Sequence, residues 1–428
     1  MDIEKYNDHI SQGVALMAQA NYPAAKNEFE KAIAINIQSY EAYIHLGNAC
    51  ANLGLLDEAI AAFKNALVVD PASGEALYSI GNIYLLKDER LKAVEYYNKA
   101  DESGFNRTEL YQILAAVFFE ANDSAQALRY ITRAIAVSPF NGELRLFKAN
   151  VYLAEKKYEQ AIETLDEMQK ILPDAFEAYD LRAQIYCGLK KFDEALKVCQ
   201  IGCERFPDDA NLALSKLKVL VEMNDDEVAE KLLEDMKSRN QYASVIKEAA
   251  IQHSIILLRK QDVDTALAVL LEANDVLEND ADILYLVLDI YAQTENYEKL
   301  IEYSPVMLSV DAGPFYESTA KYFYAHALDK VGRVDEAKVE YKKLTSELRK
   351  VTIETPSFYE GYIYRLLSHT RIGEYDKALE LADYLENMYP ERTDANAFRY
   401  FIYKEKGDLD SAEEQKNLAL AKNPDIKL

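Results

Sequence analysis

Three of the four cysteines, Cys187, Cys199 and Cys203, lie close together in the chain, and Cys199 and Cys203 are four residues apart. That is one helical turn, a spacing at which two thiolates could share a metal or exchange electrons. No Cys-x-x-Cys pair and no neighbouring histidine completes such a ligand set, so buried small apolar residues are the better reading. The five histidines, His9, His45, His253, His326 and His369, are scattered, and none pairs in sequence with a nucleophile or a ligand cluster. There is no glycine-rich phosphate loop, nucleophile elbow or zinc-protease helix. The 73 Asp and Glu residues are too many for any pair of carboxylates to stand out as an acid and its base. We expect no catalytic residue, no metal and no cofactor. The chemistry to look for is non-covalent binding.

Charge narrows the partners. The chain has 428 residues and a formal net charge of −25. A nucleic-acid backbone and an anionic membrane leaflet would both be repelled by such a surface, so neither is expected as a partner. The nine acids Glu41, Glu75, Glu109, Glu143, Glu177, Glu248, Asp282, Glu360 and Asp394 recur in one register, which suits helix first turns better than a rail for a basic ligand. Met1-Asp2-Ile3-Glu4-Lys5-Tyr6 does not read as a secretory signal, no stretch is long and apolar enough to span a bilayer, and four cysteines make no disulfide framework. A cytoplasmic location is the expectation.

The elements that position any binding surface come from a repeat. Ala25, Ala59, Ala93, Ala127, Ala161, Ala195 and Ala229 are each 34 residues apart, and the series continues more loosely through Ala266, Leu300, Ala337, Ala378 and Ala412. Twelve residues before the alanine stands a small residue: Gly13, Gly47, Gly81, Ala115, Ala149 and Ala183. Twelve after it stand Pro71, Pro139, Pro173, Pro207, Pro390 and Pro424, six of the ten prolines. The small residues fit the close approach of two helices, and proline halts the second because it cannot donate the next backbone hydrogen bond. A lone helix pair cannot bury its apolar face, so the pairs must stack.

Tyr43-Ile44-His45-Leu46-Gly47-Asn48 and Asp57-Glu58-Ala59-Ile60, on this frame, resemble the tetratricopeptide repeat family, and the resemblance runs from about Tyr6 to Pro424. It implies an all-α, right-handed superhelical solenoid of antiparallel helix pairs, about twelve in number. It also implies a concave groove lined by the first helix of each pair, in which a peptide or protein segment binds. The columns fifteen and eleven residues before the alanine should face that groove. They supply the candidate contacts Ile44, Asn48, Tyr78, Asn82, Asn150, Tyr285, Tyr322 and Phe401, apolar groups for side chains and amides for backbone. A variant of the family that grips a C-terminal carboxylate uses Lys and Asn there, but Ile10, Val14 and Ile44 stand in those places.

The small-residue column lapses after the sixth repeat, becoming Leu217, Ser254, Leu288, Ala325, Leu366 and Tyr400, and the spacing stretches to as much as 41 residues. We expect a regular array of seven repeats over 1–242 and an irregular array of about five over 243–428, with longer connections at Asp311-Ala312-Gly313-Pro314 and Glu354-Thr355-Pro356-Ser357. The function that follows is an interaction scaffold. The alternative is a peptide-sensing regulator or an assembly factor for a larger complex. The sensor is disfavoured because the repeats begin by residue 6, the envelope-complex factor because no signal or anchor is evident.

Overall fold

A computed structural model describes residues 2–426. Among them every regular element is a helix, 25 in all. Setting aside the four-residue helix Gln241–Ser244, they form twelve consecutive antiparallel pairs, such as Tyr40–Asn52 with Leu56–Val69. The residues of the alanine frame, including Leu300, are at most 4% exposed in all twelve pairs. The chain divides into two compact units, residues 1–198 and 199–428, the division falling within the helix Phe192–Arg205. Each unit stacks its own helix pairs.

The turn inside each pair is set by one backbone position five residues before the alanine. Ala20, Gly54, Asp88, Asn122, Lys156, Lys190, Asn224, Gln261, Glu295, Gly332, Gly373 and Gly407 all have φ between 54° and 85°, in the left-handed region. The next residue's amide then bonds back to the carbonyl nine before the alanine, as in Leu55 N to Cys50 O at 2.9 Å and Arg333 N to Leu328 O at 2.8 Å. This 6→1 closure satisfies a carbonyl that the helix end would otherwise leave bare. The prolines also act as expected: Pro71, Pro139, Pro173, Pro207, Pro390 and Pro424 each stand two residues beyond the end of a second helix. Neighbouring pairs are tied through their N-caps. Tyr6 Oη lies 2.6 Å from Ser39 Oγ and Tyr40 Oη 2.7 Å from Ser73 Oγ, while each serine caps its own helix.

The close approach is between a glycine and a ring. A methyl group built on Gly13, Gly47 or Gly81 would fall 2.4–2.5 Å from Phe29, Phe63 or Tyr97, the residue four past the alanine. Several later repeats keep a similar combined bulk and redistribute it, whereas in the seventh Leu217 and Leu233 are both large and buried. Opposite Ala115 and Ala149 stand Ile131 and Leu165; opposite Leu288 stands Ser304, and opposite Leu366 stands Ala382, all fully buried. At Leu288 and Leu366 the lapse of the small-residue column is therefore an exchange of volume between facing helices, which a close-packed core tolerates well.

The stretched spacing goes partly into helix rather than loop. The helix Val334–Glu354 has 21 residues where most second helices have 14, so the connection expected to be long at Glu354-Thr355-Pro356-Ser357 is 355–358, no longer than those at 36–39 and 70–73. Likewise Pro314 opens the 17-residue helix Pro314–Lys330, its fixed φ suiting the first helical position.

Candidate functional site

The eight groove candidates fall into two groups. In residues 1–198, Ile44 is 5% exposed and belongs to the core. Asn48 is half-buried and Asn150 exposed. Tyr78 rests against Tyr97 and Phe105, with ring centroids 5.8 and 5.5 Å away, and the Tyr97 hydroxyl donates to Asn82 Oδ1 at 2.7 Å. Tyr78 and Asn82 thus flank one buried ring, and the Asn82 amide nitrogen is left to donate elsewhere.

In residues 199–428 the first helices carry a connected aromatic surface. Tyr285 lies 5.4 Å from Phe315 and 6.3 Å from Tyr316. Tyr322 stacks on His326 at 6.0 Å and packs against Tyr364 and Tyr341 at 5.3 and 5.9 Å. It is only 9% exposed, so its first role is packing. Phe401 is half-buried with the Arg371 guanidinium 5.0 Å over its ring. Arg371 links these two candidates: it donates to Glu405 at 3.2 Å, and its charge opposes the rise in pKa that burial imposes on Tyr322. Burial and the cations Arg371 and Lys330 push His326 down to about 4, against a small opposing effect of Asp329, so its ring is neutral at pH 7. His326 Nδ1, Tyr341 Oη and Arg371 Nε are buried without a hydrogen-bond partner.

Beside this surface a notch of about 340 Å³ opens between the first helices Ile246–Arg259 and Ala281–Gln293. Ile251, Ile255, Leu258, Val263 and Leu286 give it an apolar floor, and Asp289 and Gln293 add polar groups, with Gln293 donating to Asp289 at 2.6 Å. Ile251, Ile255 and Asp289 stand in the two columns expected to face the groove. Leu258 and Leu286 lie outside those columns but at helical spacing from Ile251 and Asp289, a signal that a wider apolar stripe would have caught.

The remaining sequence features take structural places. Eight of the nine repeating acids sit in first turns of helices, where the dipole favours them; Asp394 stands just before its helix and accepts from Tyr359 Oη at 2.6 Å. Cys50 and Cys199 are buried and Cys187 and Cys203 half-buried, and burial pushes the Cys203 thiol up, away from thiolate chemistry. Among the described residues no group of three or more His, Cys, Asp or Glu is placed to hold a metal, and no helix is long and apolar enough to cross a membrane.

Tetratricopeptide repeat profiles match residues 10–68, 52–106 and 118–185. Anaphase-promoting complex subunit 3 of Schizosaccharomyces pombe is 27% identical over 132 residues, 30% of this chain and 19% of that protein. General transcriptional corepressor trfA of Dictyostelium discoideum is 28% identical over 93 residues, 22% of this chain and 7% of that protein. The matches thus span a fifth or less of these relatives. Among solved structures, Naa15/Naa10 bound to HypK-THB has a TM-score of 0.44 at 16% identity, covering 98% of this chain and 64% of that one. YrrB, a repeat protein described as having an unusual peptide-binding site, has a TM-score of 0.36 at 23% identity, covering 43% and 95%. Residues 10–106 and 118–185 thus match the tetratricopeptide repeat family, and the same paired-helix frame runs on through the rest of the described residues.

Proposed function

We propose that this protein is an interaction scaffold that seats a peptide or protein segment on the first helices of residues 199–428, and that it acts by binding rather than catalysis. The observation that carries this reading is the apolar notch between Ile246–Arg259 and Ala281–Gln293, with Tyr285 on the second of these helices and Phe401 on a first helix further along. An apolar floor with a few polar groups is what a bound segment needs, its side chains entering the notch and its backbone meeting polar groups at the rim such as Gln293. Tyr78, Asn82, Asn48 and Asn150 offer similar chemistry in residues 1–198. The net charge of −25 argues for a protein partner over a nucleic acid, and a cytoplasmic setting agrees with the free thiol chemistry expected there. Affinity capture with Ile255→Glu tests the reading. The variant should lose the proteins that the wild-type chain captures while its circular dichroism stays unchanged. Retention of the same proteins would move the binding surface elsewhere.

A further inference from the structure

A cavity of about 770 Å³ opens between the second helices Val334–Glu354 and Tyr375–Met388, over the first helix Tyr359–Arg371. Its wall departs from the acidic character of the chain. Arg365, Arg349 and Lys342 all line it, and none of the three has an ion-pair partner among the described residues. Arg365 is half-buried at the cavity wall. Its Nη1 donates to Thr352 Oγ1 at 2.9 Å, its guanidinium lies 5.9 Å from the Tyr362 ring, and its Nε is buried with no partner at all. Burial and the nearby charge of Arg349 both press its pKa down. A half-buried guanidinium beside a second cation, with no carboxylate paired to it among the described residues, is costly unless an anion arrives.

The carboxylates nearby do not fill that role. Glu374 is taken by His369 at 2.7 Å and Lys377 at 3.0 Å, and Glu380 is exposed. Thr352 is oriented by its own bond to Leu348 O at 2.7 Å, and the Tyr362 and Tyr384 rings pack 4.9 Å apart beside it. Arg349, Thr352 and Ile353 come from the added turns of Val334–Glu354, so the lengthened helix is what builds the wall.

We propose that this cavity binds a phosphate monoester, its oxygens held by Arg365 and Arg349 with Lys342 beside them and its organic part against Tyr362 and Tyr384. Two guanidinium groups and an ammonium match the charge of about −1.5 to −2 on a phosphate monoester better than the single charge of a carboxylate. The arginine fork also fits phosphate oxygens in pairs. The ester could be a small molecule or a phosphorylated side chain of a partner, since both present the same group.

Calorimetric titration of the full chain with phenyl phosphate, a phosphoserine peptide and benzoate tests this. One or both phosphate probes should bind saturably and more weakly as salt rises, and benzoate should bind at least about tenfold more weakly. Tighter binding of the peptide would assign the site to a protein-borne phosphate, and tighter binding of phenyl phosphate to a small ester. Lys342→Gln and Arg349→Gln alter exposed side chains and should each weaken the phosphate probe by about tenfold with no change in melting. Ile255→Glu, on the first helices, should leave this binding intact. Absence of saturable binding by either phosphate probe, equal binding of benzoate, or indifference to Arg349→Gln would overturn the assignment.

Discussion

Replacing Gly47 by alanine separates two forces of opposite sign. In an ordinary helix interior, glycine to alanine gains about 0.5–1 kcal/mol, because the glycine backbone loses more freedom on folding. At Gly47 the added methyl would fall 2.5 Å from Phe63 Cε1 and 2.7 Å from Cδ1 and Cζ. Phe63 is 1% exposed, so its ring has no room to swing aside. Overpacking of this kind costs about 1–3 kcal/mol, so the net change should be a loss of up to about 2.5 kcal/mol. In a Phe63→Leu background the obstructing ring is gone, and the same alanine should become stabilising by about 0.5–1 kcal/mol. The coupling between the two sites is then about 1–3 kcal/mol. Repeats open locally, so the readout is hydrogen exchange of amides in Tyr40–Asn52 and Leu56–Val69. Alanine that slows exchange equally in both backgrounds would refute the packing account.

Other consequences follow from the turns and the buried charges. Lys156→Gly relieves a left-handed φ of 57° and should raise the stability of the repeat by about 0.5–1 kcal/mol, read by exchange across the Lys157 N to Tyr152 O closure. His326 is held neutral in the fold and protonates more readily when unfolded, so stability falls as pH drops from about 6.5 towards 4. His326→Phe keeps the stacking and should flatten that fall, which is worth on the order of 3 kcal/mol, in urea midpoints measured across the range. Asp101 accepts from Arg133 and from Tyr111 at 2.8 Å; burial pushes its carboxyl up, but these bonds outweigh it and leave the pKa below the ordinary 3.8. Its stabilisation is complete above the unfolded value and is lost only at lower pH. Asp101→Asn should therefore weaken exchange protection near neutral pH, and the gap from wild type should close below pH 3.8.

The alanine frame was legible because one small volume recurs every 34 residues on the first seven second helices, from Ala25 to Ala229. The turn column was not. A left-handed residue with its side chain in solvent can be Ala20, Asp88, Lys156 or Glu295 as well as glycine, so geometry recurs where identity does not. The exchange of bulk between Leu288 and Ser304 is likewise invisible to a reading of one helix at a time. Pro356 suggested a long connection, yet the added residues extend the helix Val334–Glu354 up to its edge. For the binding face, Ile251 and Ile255 lay in the expected columns, but Tyr322 and Ile44 in the same columns are covered by neighbours. The basic cavity was hidden because Val334–Glu354 must pack on Tyr359–Arg371 before Lys342 and Arg349 share a wall with Arg365.

The measurement that bears most directly on the binding face is photo-crosslinking from matched exposed positions. Leu258 lies on a first helix, 36% exposed beside the notch, and Val339 on a second helix, 51% exposed. With benzoylphenylalanine at each position in turn, in cells, Leu258 should crosslink to a discrete partner that Ile255→Glu abolishes, and Val339 should not. Crosslinks to that partner from Val339 and none from Leu258 would contradict the account.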